Sequence, residues 1–486
     1  MRRGWIQRRS FLRTAGAAAL SGWARRLLPG QTAVPASTQP IQATLTIDES
    51  VTLATVPADF IGLSYESAQL ANPAFFAATN TSLILFFREL TGQGVLRLGG
   101  GTSEFDAFTT EEPKGAPPFD AVGPDNSKNV KSDTPVTPKS LRNLRAFLDA
   151  TNWRCLYGLN LGRGPVERAA EEASYVERIL GPRLIACQLG NEPDAWRNRY
   201  RPATWAYEDY WKEWLAAHAA VVARVPNAKF AGPDVSNKVP YVTGFAADVK
   251  KSAPDVVMLT SHYYAMGPAG APGMTIDRLL SPDPKLQRDL ATIMDAARDA
   301  GLPYRMSEGS SCWNGGQPGV SDTFASALWV ADMMLEFAST GCAGVNLHGG
   351  GNGYYTPIAG SVAEGFTRRP EYFGMELIKH LLGATLVRSS LACDDNRVRV
   401  YAARKDDARL VLAINKTGQA AAIQTPMSHE ARGHEQREWL LTGPAVDAKE
   451  GAALTERRPA AMRSGTLNIA AHSAVLIEFR AGSGEM

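Results

Sequence analysis

Between residues 59 and 382, short apolar runs alternate with longer helical stretches eight times, and this repeat leaves few folds open. The runs are 59–65, 94–99, 154–160, 184–190, 228–234, 256–263, 303–308 and 343–348. Helical stretches at 74–90, 139–150, 166–180, 204–224, 241–251, 286–300, 321–339 and 371–382 fall between or after them. Such alternation reads as parallel strands joined by crossover helices. Eight strand and helix units in about 250 residues plus insertions describe a (β/α)8 TIM barrel. An open doubly wound α/β sheet is the rival arrangement.

Two segments stand outside the repeat. Residues 43–54 precede the first run, and the tail after about 384 holds the strand-like stretches 397–402, 409–415 and 473–479. The expected organisation is a catalytic barrel over 57–383 and a smaller C-terminal β-sandwich over 384–486, which takes one N-terminal strand from 43–56. The segment 107–138, rich in Pro, Asp, Lys and Thr, reads as a long insertion over the strand-end face, where loops of a barrel collect.

Before this body, Gln7-Arg8-Arg9-Ser10-Phe11-Leu12-Arg13 leads into a weakly apolar Ala/Gly stretch and the small-residue site Val34-Pro35-Ala36. This order resembles a twin-arginine export signal over 1–36, so a periplasmic or secreted protein beginning near Ser37 is expected. No stretch reaches the ~20 apolar residues of a membrane span, so no membrane association is expected after cleavage. The five cysteines are too few and scattered for a disulfide framework and are expected to be mostly buried and reduced. Lys and Arg exceed Asp and Glu by 51 − 49 = 2, which gives no net field to attract nucleic acid.

Two carboxylates arrive at strand ends. The fourth run enters Gly190-Asn191-Glu192-Pro193-Asp194, and the seventh ends Met306-Ser307-Glu308-Gly309. Taken alone, each is a helix-entry turn or a surface Glu as readily as a catalytic group. In a closed eight-strand barrel the fourth and seventh strand ends face each other across the top, so the pair can converge on one bond. Glycoside hydrolysis requires such a pair, one carboxyl protonated and the other ionised. A retaining enzyme needs them roughly 5–5.5 Å apart, whereas roughly 6.5–9.5 Å admits a water and inverts.

With these glutamates, the chain resembles the retaining (β/α)8 glycosidases. Within them it resembles glycoside hydrolase family 79, the bacterial β-glucuronidases and heparanases. The closer features are Leu96-Arg97-Leu98-Gly99-Gly100, Ser261-His262-Tyr263-Tyr264, Asn314-Gly315-Gly316 after Glu308, Gly349 to Tyr355, and the segment 370–383. The resemblance covers about residues 43–480.

It implies that Glu192 is the general acid/base and Glu308 the nucleophile. Asn191 would hydrogen-bond the sugar 2-hydroxyl and Tyr264 would hold Glu308, unless Tyr264 is a core tyrosine. Glu66 would grip sugar hydroxyls from below or cap a helix. Arg97 would support Glu308 or bridge barrel layers, and His262 joins the substrate-binding set or is a satisfied core histidine. A uronate carboxylate can be held by backbone N–H groups of a Gly-rich turn with a phenol. Asn314, Gly315, Gly316 and Tyr355 occupy the corresponding positions, with Tyr354 the alternative if the loop register differs by one. Trp313 stands where bacterial members carry a tyrosine, which removes a hydroxyl and adds an apolar platform. Trp196 and Trp205 would either stack on sugar or belong to the core.

The expected activity is that of an exo-acting β-glucuronidase on a carbohydrate substrate. The chain is expected to be monomeric, and neither cofactor nor metal is implied. Arg197, Arg199, Arg201, Arg368 and Arg369 form a thin, dispersed set for sulfated chains, which makes endo-cleavage the lesser option. A neutral-sugar glycosidase and an inactive sugar-binding protein are the alternatives. The seven histidines show no HExxH spacing, and no GxSxG elbow or phosphate-binding glycine signature stands out.

Overall fold

The computed structural model describes residues 39–111, 133–236, 238–349, 352–426, 434–457 and 465–481. The export-like segment 1–36 and residues 112–132 of the insertion lie outside the described residues. The flanks of that insertion, Asp106–Phe108 and Thr134–Val136, pair in parallel.

Eight parallel strands close into a barrel: Ile61–Glu66, Val95–Gly99, Arg154–Leu159, Leu184–Leu189, Phe230–Val235, Val256–Met266, Tyr304–Cys312 and Gly344–His348. They follow one another around the barrel in chain order, and the eighth pairs with the first through Val345 and Ile61. Val95, Leu156, Ala186 and Ala231 form an apolar plug inside its lower end. Above the plug the interior is polar, so the strands deliver hydrogen-bonding groups to the upper rim.

Local sequence sets the helix limits. Helix Pro284–Ala300 begins with Asp283 Oδ1 accepting the Lys285 N–H at 2.9 Å and ends at Gly301, whose φ of 71° stops the helix. Helix Pro138–Thr151 opens with a reciprocal Thr137 and Ser140 capping box and closes at Asn152 in left-handed geometry. The first expected helix, 74–90, is shorter than predicted and spans Thr81–Leu90. Asn80 explains the difference: its backbone carbonyl accepts the Ile84 N–H, and its side chain caps the Leu83 N–H. The seventh strand continues past its expected end to Cys312, so Glu308 sits within it. A register shift between Met306 and Glu308 against the sixth strand displaces the ladder there.

Beyond the barrel lies one curled, nine-stranded sheet containing Ile41–Thr55 from the N-terminus. This strand pairs antiparallel with Thr385–Cys393 and parallel with Ala421–Gln424, joining the two layers expected of a sandwich into one continuous sheet. Strand alternation divides the apolar residues. Leu410, Leu412 and Ile414 join the barrel core, while Val411 and Ala413 join Val475, Ile477 and Ile423 in a second core. Helix Phe324–Ser339 lies beside the sheet and is buried nearly all round. Its Phe324 and Ala325 N–H groups donate to the Ala448 and Val446 carbonyls.

None of the five cysteines is paired. Among the described residues, no helix is long and apolar enough to cross a membrane.

Candidate active site

The fourth strand ends at Leu189, and the chain turns through Gly190, whose φ is 84°, to Glu192, whose φ is 49°. This left-handed backbone is fixed because the Glu192 N–H donates to the Asp234 carbonyl at 2.9 Å. Trp196 and Trp205 brace the turn from below by donating their indole N–H groups to the Asn191 and Pro193 carbonyls, each at 2.8 Å. Their rings stack at 5.8 Å and are buried, so they are core supports and do not stack on sugar.

Across the barrel, Glu308 is gripped on both oxygens. The Tyr264 hydroxyl donates to Oε1 at 2.8 Å, and Arg97 Nη1 donates to Oε2 at 2.6 Å. Arg97 is completely buried and also donates to Ser64 Oγ, Gln188 Oε1, Asn191 Oδ1 and Asp234 Oδ2. It therefore supports Glu308 and bridges barrel strands at once. Because Asn191 Oδ1 is occupied by Arg97, the Asn191 amide is oriented, and the residue lines the cleft.

One donor atom each from Glu192, His262 and Glu308 lie within 4.8 Å of one another. Their proton affinities are pushed in opposite directions. Burial raises the Glu192 pKa and outweighs its contact with His262, which moves the carboxyl towards the protonated form. Burial also acts on Glu308, but His348, His262, Arg97 and the Tyr264 hydroxyl overcome it and hold Glu308 ionised, with a pKa lowered to about 2. His262 would be neutral by burial alone. Glu308, Asp234 and Glu192 raise its pKa to about 10. A metal ion bound by this trio would have to displace the His262 proton, which the three surrounding carboxylates hold in place.

The His262 side chain is buried yet borders the cleft, beside Glu192, Tyr264 and Glu308. It spans Glu192 Oε1 at 3.1 Å and Asp234 Oδ1 at 3.2 Å as a strut between carboxylates.

A cleft of about 760 Å³ opens above these groups. Glu66, Asn191, Glu192, Tyr264, Glu308, Trp313, Asn314, Gly315 and Tyr355 all line it. Glu66 lines the cleft and also caps the first turn of the short helix Gly101–Phe105. Its Oε2 accepts the Thr102 N–H and hydroxyl at 2.9 and 2.6 Å, while Oε1 lies 3.5 Å from His348 Nε2. Trp313 is 44 % exposed at the rim.

Asn314, Gly315 and Gly316 have successive φ values of 64°, 82° and 84°. A Cβ on Gly316 would lie 2.7 Å from the Tyr355 nitrogen, so glycine permits the close approach of the two loops. Gly316 itself is behind the cleft wall. The loop register is also fixed: Tyr355 packs 6.2 Å from the Tyr264 ring and 5.6 Å from His348, while Tyr354 is half-buried and does not line the cleft.

Sequence reasoning missed Asp234, Gln188 and the part played by His348. Asp234, next to last in the fifth strand and in left-handed geometry, accepts from Arg97, Gln188 and Ser307. The signal was present, since Asp234 is a carboxylate at a strand end like Glu192 and Glu308. Gln188 had no comparable mark among the apolar residues of the fourth strand.

No protein-family model matches the chain. It is 27% identical over 355 residues to a β-glucuronidase of Aspergillus niger, a match covering 66% of this chain and 63% of that protein. A Neurospora crassa β-glucuronidase is 26% identical, with 57% and 54% covered, so the chain spans less than two thirds of either relative. A hyaluronoglucuronidase of Hirudo nipponia is 23% identical over 74% of this chain and 77% of that one. Among solved structures, a Fusarium oxysporum 4-O-α-L-rhamnosyl-β-D-glucuronidase superposes with a TM-score of 0.70 at 17% identity, covering 90% of this chain and all of the other. A family 51 arabinofuranosidase of Xanthomonas axonopodis gives 0.65 at 14%, with 90% and 100% covered, and both likenesses show the shared barrel and sheet architecture. The sequence relatives are those expected of the family 79 β-glucuronidases and heparanases, the group that the motifs around Glu192 and Glu308 resemble.

Proposed function

We propose that the chain is a retaining, exo-acting β-glucuronidase in which Glu192 protonates the leaving oxygen and Glu308 attacks the anomeric carbon. The observation that carries this reading is the approach of the two carboxyls to within 4.8 Å with opposite charge preferences. That spacing is nearer the roughly 5–5.5 Å of retaining enzymes than the roughly 6.5–9.5 Å of inverting ones, which supports the covalent, two-step course. In the first step the Glu308 oxygen bonds to the anomeric carbon as the glycosidic bond breaks, and the Glu192 proton goes to the leaving oxygen. Freed of its proton, Glu192 then deprotonates a water that displaces Glu308. Arg97 and Tyr264 hold Glu308 in line throughout, and the Asn191 amide stands beside it for the sugar 2-hydroxyl.

Uronate selection is assigned to the Asn314–Gly316 turn and Tyr355, which need no buried cation to bind a carboxylate. The β-glucuronidase relatives support the same choice of sugar. The exposed Trp313 ring favours a second reading, a neutral β-sugar stacked on an apolar platform. Export by the twin-arginine route belongs to the proposal, as does action as a monomer.

The deciding assay compares matched chromogenic β-glucuronide and β-glucoside. Glucuronide turnover that falls by about three orders of magnitude in Glu308→Gln is the expected result. Preference for the glucoside would remove the uronate assignment and keep the mechanism. An α-configured first product, seen by NMR, would remove retention.

A further inference from the structure

The ladder between the third and fourth strands ends where Leu159 faces Leu189, and the Gly190 N–H donates to the Leu159 carbonyl at 3.0 Å. Beyond that point one carboxylate takes the place of the ladder. Glu104 belongs to the short helix Gly101–Phe105 after the second strand and is 1 % exposed. Its Oε1 accepts the Asn191 N–H at 2.6 Å. Its Oε2 accepts the N–H groups of Leu161, at 3.2 Å, and of Gly162. The loops after the second, third and fourth strands therefore meet at one side chain.

Glu104 completes the grip on the turn that carries Glu192. The Asn191 carbonyl accepts from the Trp196 indole, the Asn191 side-chain oxygen accepts from Arg97, and the Glu192 N–H donates to the Asp234 carbonyl. The Asn191 N–H goes to Glu104. Donors converge on both Glu104 oxygens at once, which a carboxylate accepts and an amide cannot, because its nitrogen would face one of the N–H groups. Burial pushes the Glu104 pKa up to about 7, against the three N–H groups and the Arg201 cation that favour its ionised form. A carboxyl thus occupies a place where a neutral glutamine of the same size would cost less to bury. Arg201 also donates to the Leu161 and Gly162 carbonyls, which fixes the third-strand loop that shares Glu104 with Asn191. A Cβ on Gly162 would lie 2.8 Å from Glu104 Oε2, so glycine permits that approach.

Resting on the assignment of Glu192 as general acid, we propose that Glu104 is a positioning residue for the protonation step. Through the Asn191 N–H it fixes the turn that aims the Glu192 carboxyl at the leaving oxygen. Glu104 acts through that turn and touches no substrate, since Asn191 and Glu192 line the cleft and Glu104 does not.

A misaimed acid is felt most by a leaving group that needs its proton. The test therefore compares an unactivated phenyl β-glycoside with a dinitrophenyl β-glycoside of the same sugar, glucuronide or glucoside, whichever the full chain turns over. In both, kcat/KM reports cleavage of the glycosidic bond. In Glu104→Gln, kcat/KM on the phenyl substrate falls by about 30-fold, and on the dinitrophenyl substrate by less than about threefold. Glu192→Gln shows the same bias more strongly. Glu172→Gln is the control for a lost buried carboxyl: it lies on helix Val166–Leu180, accepts from Tyr157 at 2.7 Å, and should affect both substrates equally. Equal losses on the two substrates in Glu104→Gln, no loss, or the same bias in Glu172→Gln overturns the positioning role and leaves the mechanism standing. If Glu104→Gln does not fold, Gly162→Ala presses on the same carboxylate from the third-strand loop and carries the bias at smaller size. Absence of bias there overturns the role as well. Glu192→Gln without bias overturns the assignment of the general acid, and the positioning role falls with it. Turnover of neither sugar overturns both readings.

Discussion

His262 Nδ1 lies 3.1 Å from Glu192 Oε1, so the general acid of the proposed mechanism rests against a buried cation. The same ring approaches Glu308 Oε1 at 3.9 Å, and its cation lowers the proton affinity of both glutamates. The opposed states of Glu192 and Glu308 therefore do not come from His262. They come from Arg97, Tyr264 and His348, which act on Glu308 and not on Glu192. One imidazolium sets the common level of the pair, and the nucleophile's private partners set the difference.

Replacing His262 by Asn should raise both carboxyl pKa values. Activity requires Glu308 ionised and Glu192 protonated, so the acid and basic limbs of the kcat/KM profile should both move to higher pH, by about one unit. A profile that keeps its limbs while losing height would show that His262 only packs. Stability offers a second readout. The folded pKa of about 10 exceeds the reference value of 6.5, so the stabilisation is complete below pH 6.5 and is lost as pH rises through 10. The wild-type melting temperature should fall over that window, and the variant's should fall less.

Tyr264→Phe removes the donor to Glu308 Oε1 and leaves the Arg97 contact on Oε2. We expect kcat to fall by about 10–100-fold with a smaller change in KM, because the lost contact orients the attacking oxygen. The acid limb should also rise, since one of the groups favouring ionised Glu308 is gone. Pre-steady-state release of the aglycone should slow in proportion if attack is the step affected.

The barrel was legible because each strand is an apolar run and each helix a separate amphipathic stretch. Glu192 and Glu308 were legible because strand count places them across the barrel. The supports between them were not. Arg97 and Gln188 lie 91 residues apart in sequence yet share a hydrogen bond, and nothing local to either predicts the other. His262 and His348 sit on strands, where a satisfied core histidine is the ordinary reading, and His262 is also a candidate for the sugar-binding set. They are buried, as core histidines are, yet what satisfies them is the carboxylate cluster itself. For the tryptophans near Glu192 the sequence left sugar platform and core open, and burial decides for the core, where they act as braces. The first helix shortened because the local Asn80 cap competes with the apolar pattern before it.

The sheet is fastened to the barrel by a buried charge. Lys416, 2 % exposed, reaches Asp332 on helix Phe324–Ser339 at 2.6 Å, and Asp332 also accepts the Tyr401 hydroxyl at 2.6 Å. Asp332→Ala leaves a buried ammonium without its partner and should cost about 3–5 kcal/mol in urea unfolding. Asp332→Leu combined with Lys416→Met removes both charges and should recover much of that loss. A double variant no more stable than Asp332→Ala would show that packing, not the unpaired charge, is responsible.

Tyr355 and Tyr354 provide the sharpest test of uronate selection because they are adjacent in sequence and face different surroundings. The Tyr355 ring lines the cleft between Tyr264 and His348, while the Tyr354 ring stands outside it. If the Tyr355 phenol helps bind the sugar carboxylate, Tyr355→Phe should lower the glucuronide to glucoside ratio of kcat/KM by about tenfold, the effect of one lost hydrogen bond to a charged group. The ring remains in place, so a loss confined to glucuronide identifies the hydroxyl and not the packing. Tyr354→Phe should change the ratio by less than about twofold, because its ring contacts no sugar. The reverse order of effects would shift the selecting phenol to Tyr354 and require the 349–355 loop to rearrange when substrate binds.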